Sequence, residues 1–264
     1  MTEVFSAERI DPGDLDEHQR KALSRELYEI HRSVFAGLDQ EAFDRYVVNS
    51  PAKKTRILLY RNRRKALIGY FGVHRFELEM DGQPIVVFRG EVGLLPEYRQ
   101  KDANLSFWWT EAAGFKLRHP GKHVYFFFVP VSPSFYAMAA RYTLKAYPGR
   151  DLNIRADALA LMTWLAPQFG LPVVEEGNPL VRKVGWITLA SQQEQDFWRT
   201  TRNPYVRFYI DANPKFGEGN GLLTLIPVTF ANALLSLFGV GFHALKKKLR
   251  ARRVQPKRDH SDRP

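Results

Sequence analysis

Glu91-Val92-Gly93-Leu94-Leu95-Pro96-Glu97-Tyr98-Arg99 is an apolar run that ends in a Pro-x-Tyr-Arg turn, and it reads as the last half of a strand entering a turn. Upstream, Asp81-Gly82 separates two extended stretches, Ala66 to Met80 and Pro84 to Leu95. That dipeptide is hairpin chemistry, because both residues tolerate positive φ. Thr55 to Tyr60 reads as another strand, set off by the basic turn Asn62-Arg63-Arg64-Lys65. Before it, Leu23, Leu27, Ile30 and Val34 recur at helical spacing within Glu17 to Phe35, Asp39 can cap a second helix running to about Val48, and Glu3 to Ile10 is a candidate first strand.

Downstream of the decisive stretch, helical pattern resumes over Ala103 to Leu117, with Asp102 or Asn104 as caps. His123 to Val129 is a continuously apolar run, as expected of a strand buried on both faces, and a short helix follows over Pro133 to Tyr142. A strand, a helix and a second strand in that order imply one parallel crossover in an otherwise antiparallel sheet. Such a mixed sheet opens a cleft where the chain changes direction.

This order of elements, with Glu91 to Arg99 and with Tyr125 to Val129 followed by Ser132-Pro133-Ser134-Phe135-Tyr136-Ala137-Met138-Ala139, resembles the GNAT acyltransferase superfamily over about Glu3 to Pro148. The fold implied is α/β (α+β): a GNAT-like, mixed, mostly antiparallel sheet flanked by helices. To it the chain adds a C-terminal apolar helical appendage. The expected division is an acyltransferase-like domain over 1–218, with a core at 3–148 and a divergent remainder at 149–218, followed by an apolar membrane-associating helix and basic tail over 219–264.

The resemblance implies an acyl thioester donor, acyl-CoA or acyl carrier protein, and an amine acceptor; membrane attachment through the appendage would suit a lipid-related one. It implies Val92, Leu94, Arg99, Lys101 and Asn104 as the donor-binding positions. By motif position Glu91 is the base candidate and Tyr136, on the helix that bears the family's frequent Tyr acid, the acid candidate. Each has a plainer reading beside it. Glu91 can face solvent or pair with Arg89, and Tyr136 can be a core aromatic.

The chain departs from the family at the pyrophosphate loop, which there reads Arg/Gln-x-x-Gly-x-Gly/Ala so that bare glycines let backbone N–H groups approach an anion. Here Arg99-Gln100-Lys101-Asp102-Ala103-Asn104 replaces both glycines. An Asp102 carboxylate at the helix start accepts the same N–H groups and repels phosphate. A carrier-protein donor, whose phosphopantetheine lacks the nucleotide end, suits this loop better than coenzyme A. A catalytically silent GNAT-like module that binds a partner at the membrane is the alternative.

On the strand before the hairpin, Glu77 and Glu79 share a face opposite His74, which prevents a His–carboxylate pair among those three; a solvated strand face is the expectation. The seven His show no His-x-x-x-His helix motif, so no metal is expected, and no Gly-x-Ser-x-Gly elbow or Walker loop is present. With no Cys, disulfides, zinc–thiolate sites and a thiol nucleophile are excluded, which fits a reducing compartment. Met1 to Glu8 shows neither a basic n-region nor an apolar h-region, so no secretory signal is expected.

The net charge of +11 suggests nucleic acid until it is located. From Lys246 to Pro264 nine Lys/Arg stand against Asp259 and Asp262, leaving only +4 for everything before them. The tail has no interleaved aromatic of the kind a nucleic-acid binder uses for stacking, so nucleic acid is not an expected partner. Directly before it, the 27 residues between Glu218 and Lys246 hold no Asp, Glu, Lys or Arg. Such a run is long enough for a span of about 20 residues. Yet Thr229, Asn232, Ser236, Gly239 and His243 form a polar stripe on a helix, and a full span would carry the basic cluster to the disfavoured side. The expectation is a surface or re-entrant helix, with residues 222–258 meeting an anionic membrane surface; a buried C-terminal core helix with a solvated tail is the plainer reading beside it. The protein is then cytoplasmic, on the inner face of the cell membrane. The aromatic stretch Asn203 to Ile210 precedes this segment and either packs a small core or borders the lipid.

Overall fold

The computed structural model describes residues 6–101, 106–141, 143–149, 154–175 and 177–235. The chain enters through strand β1 (Ser6–Ile10), after which Asp16 and Gln19 close a reciprocal capping box that starts helix α1 (Glu17–Val34). The apolar spacing of α1 buries Leu23, Leu27, Ile30 and Val34. Strand β2 (Phe35–Ala36) follows, and Asp39 accepts from the Ala42 N–H to begin α2 (Gln40–Phe43). The expected second helix then widens into a π-helical turn, Asp44–Val48, which turns Phe43, Val47 and Val48 inward.

Strands β3 (Lys54–Arg61), β4 (Leu67–Met80) and β5 (Gln83–Leu94) form the antiparallel meander. Asp81 and Gly82 take φ of 52° and 73°, the pair of left-handed conformations that a two-residue type I′ turn requires. Helix α3 (Ser106–Arg118) crosses to β6 (His123–Phe128), which lies parallel to β5 as expected. Helices α4 (Pro133–Arg141) and α5 (Ala156–Gln168), strands β7 (Val181–Lys183) and β8 (Ile187–Thr188), helices α6 (Gln192–Thr200) and α7 (Pro204–Ala212), and strands β9 (Asn220–Leu222) and β10 (Thr224–Pro227) complete the order.

The main sheet runs β1-β3-β4-β5-β6-β10, antiparallel at every step except β5–β6. On one face α3 buries Phe107, Trp108, Ala112 and Phe115 against Phe71, Val86, Phe88 and Phe126. On the other, α1 with the π turn covers Ile57, Leu59 and Tyr70, while α5 covers Ile85, Val87 and Phe127. Two patches of core thus share this second face, and the β4 and β5 residues between them in register are His74, Arg89 and Glu91.

Two expectations about the distal half are corrected. The closing strand expected over Val181 to Leu189 breaks at Gly185, where φ is 84°, so its halves pair with different partners: β7 with β9, and β8 with β2. Residues 220–227, expected to open a membrane-associating appendage, are instead strands, and β10 is the edge of the main sheet. There Leu222, Leu223, Leu225 and Ile226 are buried, because the apolar side chains of a strand covered on both faces have nowhere else to go. The described part of the appendage is the helical stretch 230–235; residues 236–264, with the basic cluster, lie outside the described residues. Among the described residues no helix is long and apolar enough to cross a membrane.

Within α1, His31 is enclosed by Phe35, Phe43 and Trp186, and its Nδ1 lies 3.0 Å from the Tyr70 hydroxyl. Its Nε2 has no hydrogen-bond partner among the described residues. Burial lowers the imidazole from 6.5 to about 4. The folded state therefore holds this ring neutral at a pH where the unfolded chain already binds the proton. Its contribution is complete above pH 6.5 and drains as pH falls towards 4, by roughly 3 kcal/mol in all. Urea midpoints measured from pH 7 to pH 4 are expected to fall more steeply in the native protein than in His31→Gln, which retains a partner for Tyr70. Equal slopes would show that His31 carries no such linkage.

Candidate active site

The register of three strands assembles one polar row on the face between the two core patches. Thr55 pairs with His74 and His74 with Arg89, while the neighbouring row sets Gly72 opposite Glu91. Thr55 Oγ1 lies 3.0 Å from His74 Nδ1, and His74 Nε2 lies 3.0 and 3.1 Å from the two carboxylate oxygens of Glu91. An ionised carboxylate only accepts, so Nε2 carries a hydrogen and donates to Glu91, and the Thr55 hydroxyl serves Nδ1. The side chains of His74 and Glu91 are 2% and 5% exposed, so the pair works in a poorly hydrated environment where its interaction is strong.

Gly72 makes the pair sterically feasible. A Cβ there would stand 1.8 Å from Glu91 Oε1 and 3.2 Å from His74 Nε2. Gly72→Ala is therefore expected to drive the carboxylate out of its place. The overpacking costs about 1–3 kcal/mol of stability, with a further cost for parting a buried hydrogen-bonded pair. Thermal melts compared with those of Gly69→Ala, whose Cβ would meet Leu94 and Gly93, separate general crowding from loss of this pair. A Gly72→Ala protein with native stability and a native crystal position for Glu91 would refute the account.

Tyr46, from the π turn, closes over the row. Its ring meets that of His74 edge-on at 6.1 Å between centroids and that of Trp186 at 5.2 Å. Burial raises the Tyr46 hydroxyl above its ordinary range; the charge of Arg89 opposes that rise and that of Glu91 adds to it. Burial likewise holds the Tyr70 hydroxyl well above its ordinary value, with Glu91 and Tyr46 adding to the effect. Both phenols are thus neutral proton carriers around a carboxylate.

Beyond this row the sheet opens. The β5–β6 ladder runs from Ile85–His123 to Phe88–Phe126 and stops, although both strands continue. From Arg89 to Leu94, β5 is paired to β4 alone, while Phe127 and Phe128 pair with β10. The Leu95 N–H donates to the Ile68 carbonyl. Antiparallel alternation from that bond turns the backbone groups of Gly90, Val92 and Leu94 away from β4, towards the parting strands. Gly90 and Val92 are part-exposed there. An open cavity of about 570 Å³ lies farther along, lined by Val131, Thr188, Trp198, Ile210 and Phe216 among others; none of its lining residues belongs to the His74–Glu91 row.

The residues singled out from sequence fall in different places. Glu91 neither faces solvent nor pairs with Arg89; its partner is His74, which is buried rather than on a solvated strand face. Val92 and Leu94 pack towards α3, and the Leu94 carbonyl accepts from Arg99 Nε at 3.2 Å. Arg99 is corrected as a free anion binder: its guanidinium grips Glu194 at 2.8 and 3.0 Å, so its charge is already neutralised. Tyr136 is corrected as the proton donor. It is fully buried among Val181, Phe208, Tyr209 and Leu222, and its hydroxyl donates to the Pro148 carbonyl at 2.9 Å. Asn104 and the Lys101 side chain lie outside the described residues. Thr55, Gly72 and Tyr46 are not singled out by the sequence, and His74 and Arg89 are read there only as a solvated strand residue and an alternative partner of Glu91. A signal existed for three of them: counting back from a two-residue turn at 81–82 sets Gly72 opposite Glu91, with His74 beside it and Arg89 facing His74.

A strand, two helices, a meander, a crossover helix and a parallel strand that parts from its neighbour are the order of elements that the sequence's resemblance to the GNAT superfamily implies. Among solved structures, the chain is similar to a probable N-acyltransferase from Enterococcus faecalis V583, at 14% identity and a TM-score of 0.34, over 53% of this chain and 32% of that one. It therefore spans about a third of that protein's length. It is also similar to a GNAT-family acetyltransferase from Streptococcus pneumoniae, at 10% identity and 0.34 over 85% and 100% of the two chains, and to a GCN5-related N-acetyltransferase from Kribbella flavida, at 9% and 0.35 over 84% and 98%. No protein-family model and no curated protein matches the chain. Likenesses at this level leave the residue roles to the chain's own geometry.

Proposed function

We propose that this chain is an N-acyltransferase, moving an acyl group from a thioester donor to an amine. The observation that carries the reading is the buried His74–Glu91 pair, which joins β4 to β5 where β5 parts from β6. The neutral amine attacks the thioester carbonyl carbon; a C–N bond forms, and the carbonyl oxygen takes up negative charge within reach of the backbone N–H groups on the free edge of β5. Glu91, oriented by His74 and Thr55, accepts the proton from the nitrogen. The C–S bond then breaks, and the same proton passes from Glu91 to the leaving thiolate, so that amide and thiol are the products. One carboxylate suffices as shuttle, which removes the need for Tyr136 as acid.

The donor is an acyl-CoA or an acyl carrier protein. Incubation of the protein with each donor and a panel of amines, with free thiol as readout, tests the reading. Thiol release that requires both donor and amine is the expected result. Release no faster than the uncatalysed rate with every combination would leave the second reading, a silent GNAT-like binding module, which is favoured by the commitment of Arg99 to Glu194.

The proposed place of action is the cytoplasmic face of the membrane, with lipid contact beginning after the last strand. In the helical stretch 230–235, Asn232 is turned inward: its Oδ1 accepts from the Leu144 and Lys145 N–H groups and its Nδ2 donates to the Pro227 carbonyl. Phe230, Leu234 and Leu235 are left facing out at 53%, 58% and 45% exposure. Asn232 therefore serves the fold, and Phe230, Leu234 and Leu235 are the free apolar side chains of this stretch. An outward apolar side followed by a cationic segment fits an anionic bilayer, at about 1 kcal/mol for each Lys or Arg near the surface. Flotation with anionic but not zwitterionic vesicles is expected; flotation with neither would refute the placement.

A further inference from the structure

Arg89 is 7% exposed, yet it has no ion pair or hydrogen bond among the described residues, and its Nε is a buried donor without an acceptor. Its guanidinium lies 5.3 Å from the centroid of the Tyr46 ring and 4.2 Å from that of Phe169. Two aromatic faces hold the cation in a fixed plane and return part of its lost hydration, but they leave the in-plane N–H groups unused. The obvious counter-ion is engaged elsewhere: both oxygens of Glu91 are turned to His74 Nε2. A buried charge without a hydrogen-bonded anion is costly, so its retention beside a reactive pair calls for a ligand that supplies one.

We infer that Arg89 binds an anionic group on the acceptor itself, so that the acceptor is a small amine carrying a carboxylate or a phosphate ester. Arg89 and Glu91 are two residues apart on one face of an extended strand, about 7 Å. Side chains on one face of one strand can meet the two ends of a single small molecule, its amine towards Glu91 and its anion against Arg89. A guanidinium clamped in plane suits the bidentate geometry of either anion. The acceptor assignment rests on the transferase reading; the need of Arg89 for an anion does not.

The test compares each anionic amine with its neutral analogue: glycine, L-leucine and L-phenylalanine against their amides, and phosphoethanolamine against ethanolamine, each with acyl-CoA and acyl-carrier-protein donors. The expected result is a kcat/KM at least tenfold higher for the anionic member of one pair class, and the carboxylate and phosphate arms tell the two sources apart. In Arg89→Gln that ratio is expected to fall towards one, chiefly through KM of the acceptor, with Arg89→Lys between. A native ratio near one, an Arg89→Gln protein that loses both members alike, or an effect confined to donor KM would overturn the inference while the transferase stands. If no amine is acylated with any donor, the transferase reading fails, and calorimetric titration of the same amines into the native protein decides the matter. At least tenfold tighter binding of an anionic amine than of its neutral analogue, lost in Arg89→Gln, supports the anion site; equal binding or none overturns it. Should Arg89→Gln fail to fold by far-UV circular dichroism, Arg89→Lys and the native ratios suffice.

Discussion

Glu91→Gln is expected to lower kcat/KM by about 10²–10⁴-fold while leaving the fold almost untouched, the range that a positioned general base contributes. The amide has the shape of the carboxylate and keeps an oxygen for the His74 Nε2 hydrogen, so the pocket at Gly72 stays filled. The NH2 group cannot take a proton from the acceptor. Glu91→Ala differs in kind. It removes both oxygens that face Nε2 and leaves a buried imidazole donor unpaired, which costs about 1–3 kcal/mol on top of the lost activity. The two variants together separate chemistry from packing: a large fall in rate with an unchanged melt for glutamine, and a fall in both for alanine. Activity within threefold of native in a well-folded Glu91→Gln protein would make the pair a structural hydrogen bond and remove the base from the mechanism.

What was legible in the sequence was local. Asp81-Gly82 declared its turn because left-handed φ values are available to few residues, α1 declared itself by apolar spacing, and Asp39 marked the start of α2. The candidate base is legible by motif, but its partner is not legible within one strand: Glu77 and Glu79 face away from His74, whose hydrogen bond crosses to β5. Other contacts could not be read locally at all. Glu194, which neutralises Arg99, is 95 positions away, and Trp198, whose indole N–H donates to the Ser134 hydroxyl, is 64 away. Tyr136 was placed on the right helix, but a helix has several faces and only the packing of α7 fixed which one this side chain occupies. The uncharged run after Glu218 is the plainest case. A strand buried on both faces and a lipid-facing helix present the same continuous hydrophobicity over a short window, and Pro227 was the mark at which to divide them.

Ending the chain at residue 219 is accordingly expected to abolish folding, whereas ending it at 235 leaves the fold intact and removes attachment to anionic vesicles. Leu222, Leu223, Leu225, Ile226 and Val228 are each no more than 2% exposed. At about 1.5–3 kcal/mol per fully buried large apolar side chain, five of them rival the 5–15 kcal/mol by which a typical domain is stable. The shorter truncation also strips β10 from β6 and exposes the edge of Tyr125 to Phe128, an apolar strand that invites pairing with another copy. Leu225 exchanges backbone hydrogen bonds with Tyr147 at 2.7 and 2.8 Å, so the segment that carries Pro148, the acceptor for Tyr136, loses its anchor as well. A cut at 235 keeps all of this, together with the Asn232 bonds that fasten the start of the helix to Leu144 and Lys145. Far-UV circular dichroism melts and vesicle flotation of the two truncations are the measurements. A 1–219 protein that melts cooperatively within a few degrees of the full chain would mean that β9 and β10 are ornaments rather than core. A 1–235 protein that still floats with anionic vesicles would move the lipid contact to Phe230, Leu234 and Leu235 alone, because the basic cluster would no longer be there to provide it.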